Sequence, residues 1–186
     1  EGEIFADNGN QDGLNFKRRS TISLESNFGE LRLGRDQVAG YNKTSSYDVF
    51  GQTGIGQFSA WRNWDKVDAV NPGNAKSGDE NGIRSNNLVS YYTPNFSGFK
   101  GGLSYGFDEQ TTGKVGRYVG GNVSYDNGPI SAAVSYDRLS VNKTGTGTGD
   151  RDAFTVGASY NFGVAKLSGI AQQQKYSYAG QKDSKF

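Results

Sequence analysis

Five basic residues and two acids are placed to act on ions without breaking a bond. Lys17, Arg19, Arg32, Arg84 and Lys100 lie in segments where apolar and polar residues alternate, and each falls on the polar phase. Asp36 and Asp48 belong to a long stretch, Asp36 to Gly82, that does not alternate. A wall of cations facing carboxylates creates a transverse field, and such charge rows sort ions by sign and by the width left open. Asp48, inside the run YDVFG, is the first choice for the facing acid; Asp36, Asp65, Asp68, Asp79 and Glu80 follow.

A site of this kind needs no nucleophile, and the composition offers little for one. The chain has no His and no Cys, so a Ser-His-Asp site cannot be assembled from its residues. Most metal chemistry and all thiolate chemistry go with them, and no cofactor is expected. The 20 basic and 19 acidic residues leave a net charge of +1, without the basic bias of a nucleic-acid binder.

The elements that must position these charges are strands. Phe16–Glu25, Glu30–Arg35, Ile83–Thr93 and Phe99–Phe107 alternate with period two, as do Arg117–Tyr125, Ile130–Arg138 and Ala153–Phe162. A weaker strand follows at Val164–Tyr176. Period two means one face buried in something apolar and one face wet. In the third strand Leu88 interrupts the polar phase, while Ile83 joins Val89 and Tyr91 on the apolar one. Phe and Tyr gather near the strand ends on the apolar phase, while Ser, Thr, Asn and Gly fill the other.

Connection lengths alternate. SNFG, the turn at Pro94, DNG and the turn at Gly163 are short; Asp36–Gly82, Asp108–Gly116, Leu139–Arg151 and the tail Ser177–Phe186 are long. Up-and-down membrane barrels put short turns at one end, long loops at the other and aromatic girdles at both interfaces. A soluble sandwich would also alternate, but nothing in it enforces alternating connections. Mean hydropathy is −0.71, and no window approaches the roughly 18–20 apolar residues of a membrane helix. That criterion is blind to barrels. A stretch as long as Asp36–Gly82 far exceeds the roughly 4–6 residues of ordinary connections. The expectation is an all-β antiparallel transmembrane barrel with this stretch folded into it as a constriction loop.

The runs FGELRLGRD (Phe28–Asp36) and YDVFGQTGIG (Tyr47–Gly56) resemble the general diffusion porins of Gram-negative outer membranes, and most of all the trimeric porins of β-proteobacteria. RSNNLVSYYTPNFSGFKGGLSYGF, YVGGNVSYDNGPISAAVSY and DAFTVGASYNFGVAKL carry the resemblance along most of the chain. It implies a sixteen-stranded barrel assembled as a homotrimer, with the loop after the fifth strand turned inward. Phe16–Glu25 and Glu30–Arg35 would then be the fourth and fifth strands. About eight strands are countable here, so the chain is expected to be an internal portion of a longer protein. The resemblance singles out Arg19 and Arg84 as wall arginines; Lys17 and Arg32 rest on periodicity.

The function expected is a passive outer-membrane channel for small hydrophilic solutes and ions, embedded in lipid and lipopolysaccharide, with a lean toward anions. Two alternatives stay open. One is a surface adhesin or receptor using the long loops. The other is a sugar-specific porin in which Tyr41, Tyr47, Phe50, Trp61 and Trp64 form a stacking track; anchoring of the loop is the preferred role for these aromatics.

Overall fold

The structure, a computed structural model, describes residues 18–58, 60, 82–108, 114, 116–143, 147–178 and 184–185. Among the described residues nine antiparallel strands pair in sequence order: β1 (Ser20–Ser26), β2 (Gly29–Gln37), β3 (Arg84–Tyr92), β4 (Phe99–Gly106), β5 (Tyr118–Asn127), β6 (Ile130–Lys143), β7 (Gly147–Asn161), β8 (Lys166–Tyr178) and β9 (Ser184–Lys185). Within the long stretch lie a short helix, α1 (Ala39–Thr44), and a 3-10 turn, Ser45–Tyr47. Among the described residues no helix is long and apolar enough to cross a membrane.

The two faces of the sheet differ as the alternation requires. One face carries Leu103, Tyr105, Val123, Val134, Tyr136, Phe154, Val156 and Tyr160, all well exposed. In water such a continuous apolar surface would be far larger than a monomer tolerates; against lipid it is the stable outer wall of a barrel. Aromatics eight residues apart on β7 and its turn, Phe154 and Phe162, are separated by about 26 Å of strand. At the roughly 35–45° tilt of barrel strands this spans about 20 Å of the membrane normal, somewhat less than the apolar band of about 25 Å in outer-membrane barrels. Phe99 stacks on Tyr125 and Tyr160 on Phe162, with ring centroids 4.5 and 4.6 Å apart.

The other face carries Ser90, Ser104, Ser124, Ser135, Asp137 and Thr155, all buried. The helix and the 3-10 turn of the long stretch pack over this face on β4 to β8. Val38, Tyr41, Ile83, Leu88, Tyr118 and Leu139 form the centre of the only buried apolar cluster among the described residues. The core of this molecule therefore lies between loop and wall. Leu88, the residue that interrupts the polar phase of its strand, faces inward into that cluster because the loop, not water, meets it there.

Three expectations about boundaries change. β2 continues to Gln37, so Asp36 is a strand residue and the loop opens at Val38. Leu139–Arg151 is mostly ladder rather than connection, since β6 and β7 pair from Leu139↔Arg151 out to Lys143↔Gly147. The alternation fades there while the pairing goes on. The tail Ser177–Phe186 supplies the end of β8 and the two residues of β9, which pair with Lys175 and Tyr176.

Candidate functional site

The loop is fastened to the wall by a series of polar contacts. Asn122 Nδ2 donates to Ala39 O at 2.5 Å, and Lys43 Nζ pairs with Asp126 at 2.7 Å. Tyr47 lies 2.9 Å from Ser131 Oγ through its hydroxyl, and its carbonyl accepts from Ser168 Oγ at 2.7 Å. Farther along, Gln174 Nε2 donates to Ala60 O at 2.8 Å. Asp137, 4 % exposed on β6, accepts from Tyr118 Oη and from the backbone N–H of Gly40. These partners come from β5 to β8, so the loop spans the wet face of four strands.

Two glycines make this contact possible. A Cβ on Gly40 would lie 1.7 Å from Asp137 Oδ2, and one on Gly157 would lie 2.2 Å from Tyr47 Cδ2. Tyr41 and Tyr47 are buried, at 6 % and 1 % exposure. They serve as anchors and offer no free face for stacking sugars. Phe50 is exposed; Trp61 and Trp64 lie outside the described residues.

The charged wall is a compact group on β2 and the residues opposite it. Arg32 Nε and Nη2 donate to the two oxygens of Glu30 at 2.8 and 2.9 Å, and Arg32 Nη1 donates to Asp36 Oδ2 at 2.5 Å. Arg19 Nε stands 3.6 Å from the same Asp36 oxygen. The Arg32 guanidinium also lies over the Tyr92 ring, 4.9 Å from its centroid. Arg19, Arg32 and Asp36 are thus brought together, and Glu30 joins them. The signal for Glu30 was its inward phase on the strand of Arg32, where charges two residues apart share one face.

Asp48 is used differently. Its Oδ1 accepts from Phe50 N at 3.0 Å, and its Oδ2 accepts from Gln52 N at 2.9 Å and Phe58 N at 3.0 Å. At 8 % exposure this carboxylate ties the 48–58 turn together, and of the two acids Asp36 and Asp48 the one beside the arginines is Asp36. Replacing Asp48 with Ala is expected to loosen that turn by at least about 1.5–3 kcal/mol, the worth of a single bond to a charged acceptor. Amide exchange at Phe50, Gln52 and Phe58 reads the effect directly; unchanged protection would rule it out.

Arg84 does not join the group. Gly34 pairs with Leu88 but Asp36 pairs with Ser85, so β3 holds one extra residue against β2. Asn87, at φ +51°, sits in this bulge. A bulge shifts the side-chain phase by one. Arg84 therefore pairs with Gln37 on the outer face, beside the Arg35–Asn86 hydrogen bond of 2.7 Å. The same shift turns Ile83 inward, against its expected place with Val89 and Tyr91. Lys100 is exposed, opposite Ser124, and close enough to act on Asp126 near the short-turn end. Lys17, Asp65, Asp68, Asp79 and Glu80 lie outside the described residues.

A polar wall, an apolar reverse side and a loop bonded to the polar one are the architecture of an outer-membrane barrel wall. The sequence model for Gram-negative porins matches residues 2–186. The chain belongs to the Gram-negative porin family. This porin chain is 57% identical over 182 residues to outer membrane porin protein 32 of Delftia acidovorans, covering 95% of this chain and 49% of the relative. It is 35% identical over 187 residues to an outer membrane porin protein of Bordetella pertussis, covering 90% and 45% respectively. Among solved structures, it superposes on the anion-selective porin from Comamonas acidovorans with a TM-score of 0.85 and 53% identity, over 99% of this chain and 54% of that one. The porin chain thus spans about half the length of the relatives it matches. Its place is the outer membrane, crossed by strands.

Proposed function

We propose that the protein carrying this chain is a trimeric, water-filled channel through which small hydrophilic solutes and ions diffuse passively, with a preference for anions. Its surroundings are outer-membrane lipid and lipopolysaccharide. One observation carries the sign of the preference. Arg19 and Arg32 face Glu30 and Asp36, so the group is neutral as a sum, but exposure is uneven. The Arg19 side chain is 41 % exposed, against 6 % for Asp36, 15 % for Arg32 and 18 % for Glu30. The acids lie underneath and hold the arginines, and the charge offered to the water is the positive one. Charged side-chain rings act on passing ions through the field at the surface. The similarity to the anion-selective porin from Comamonas acidovorans points the same way.

Planar-bilayer recording of the purified protein tests this. The expected record shows insertions in groups of three equal conductance steps, and a KCl gradient gives a reversal potential on the anion side. A well-folded preparation that stays silent would refute the channel, and a cation-side reversal would refute the preference.

A further inference from the structure

Positive charge is unevenly spread over the wet face. In the group around Arg32 two arginines stand against two acids, and no charge is left over. Arg151, on the same face, is fully buried with its guanidinium over the Tyr176 ring. Two lysines lie lower, toward the short turns: Lys100 near the start of β4 and Lys166 at the start of β8. Both are exposed, and among the described residues neither has a carboxylate within ion-pair distance.

Lys100 is the better placed of the two. It lies opposite Ser124, and Asp126 comes two residues farther along β5. Such diagonal neighbours are roughly 7–8 Å apart. The residue facing Asp126 is Gly98, whose carbonyl accepts from Asp126 N at 2.9 Å, so no side chain stands between. Asp126 is already taken. Lys43 Nζ donates to its two oxygens at 2.7 and 2.8 Å, and Ser131 Oγ donates at 2.5 Å. Lys43 and Asp126 cancel, so Lys100 leaves this corner with one positive charge in excess. Glu25 is an exposed acid at the same end, but it sits on β1, three strand spacings or about 14 Å from β4.

The corner is also distinct from the arginines. Arg32 pairs with Ser90 and Ser90 with Ser104, four residues along β4 from Lys100. At about 3.4 Å per residue the two levels are about 14 Å apart. That exceeds the Debye length of about 8 Å at physiological salt, so an ion meets the two levels in turn.

We infer that Lys100 is a second selectivity-determining charge of the channel, set below the loop at the short-turn mouth, where it gathers anions. This rests on the reading that the protein is an anion-preferring channel. At the arginine level the sum is neutral and only exposure favours anions; at Lys100 the charge itself is in excess. A unit charge about 8 Å from an ion's path changes that ion's local concentration about twofold in water. It does so only where salt is too dilute to screen it.

The test is single-channel recording of the full-length porin in KCl at about 0.01 M and about 1 M, where the Debye length is about 30 and 3 Å. Lys100→Gln is expected to lower conductance about twofold at the lower salt and to match the wild type at the higher. Lys100→Arg keeps the charge and is expected to match the wild type at both. In a KCl gradient Lys100→Gln should still reverse on the anion side, because the arginine level is untouched. Heat-dependent gel mobility confirms that each variant remains a barrel. Wild-type conductance in Lys100→Gln at low salt overturns the inference while a wild-type reversal on the anion side keeps the channel reading. An equal loss at both salts, or the same loss in Lys100→Arg, also overturns it, since pore shape and not charge would then be the cause. A wild-type reversal on the cation side would overturn the anion reading and this inference with it.

Discussion

Gly40→Val should open the channel. The only space for a side chain at Gly40 is taken by the Asp137 carboxylate, whose two oxygens and Cγ would lie 1.7, 2.2 and 2.1 Å from the new Cβ. Asp137 has little room to retreat, since it is buried and holds Tyr118 Oη. The helix must therefore leave the wall, and with it the bond from Gly40 N–H. The strands do not depend on that contact, because their ladders pair neighbour to neighbour. We expect a barrel of normal heat stability whose single-channel conductance rises on the order of twofold, with the loop newly open to protease. Gly157→Val should act in the same direction by unseating Tyr47 from β7. Asp137→Gly in the Gly40→Val background removes the obstacle and should return conductance toward the wild-type value. If Gly40→Val conducts as the wild type does, the loop does not limit the pore.

Arg19→Glu should reverse the ion preference. In the wild-type group two arginines balance two acids; the substitution leaves one arginine against three acids, a net charge of −2. A unit charge about 4 Å from a passing ion acts with about 1 kcal/mol even in bulk water. About 1.4 kcal/mol is tenfold in a ratio, so two charge units, about 2 kcal/mol, amount to roughly a thirtyfold change for each ion, in opposite directions for cation and anion. The reversal potential in a KCl gradient should move to the cation side. Asp36→Asn should move it the other way, since two arginines then face Glu30 alone. An unchanged reversal potential in Arg19→Glu would remove that residue from the ion path.

Much of this architecture was legible because a strand between lipid and water has to alternate. Ile130–Arg138 and Ala153–Phe162 carry that pattern without a break, and the structure pairs them residue for residue. The inward course of the long stretch also left a trace. Leu88 on a polar phase is out of place facing water, and it faces the loop. What stayed hidden were phase shifts and backbone partners. One extra residue near Asn87 sends Arg84 outward and Ile83 inward, and no residue type announces it. Asp36 and Asp48 are chemically alike. What separates them is that one faces guanidinium groups while the other faces three backbone amides of its own loop. Bonds to the main chain leave no signature in side-chain sequence.

The loop leaves the wall at Val38 and returns at Ile83, and Val38 N donates to Ile83 O at 2.9 Å. Entry and exit are thus one hydrogen bond apart, clamped by the barrel whatever lies between. For ends already held together, doubling a loop's length costs only about 0.6 kcal/mol in closure entropy. Length changes inside this segment that leave its anchored residues in place therefore cost the barrel little in closure entropy. Selection can lengthen, shorten or recharge the insert to retune permeability while the β2–β3 pair that frames it remains as it is.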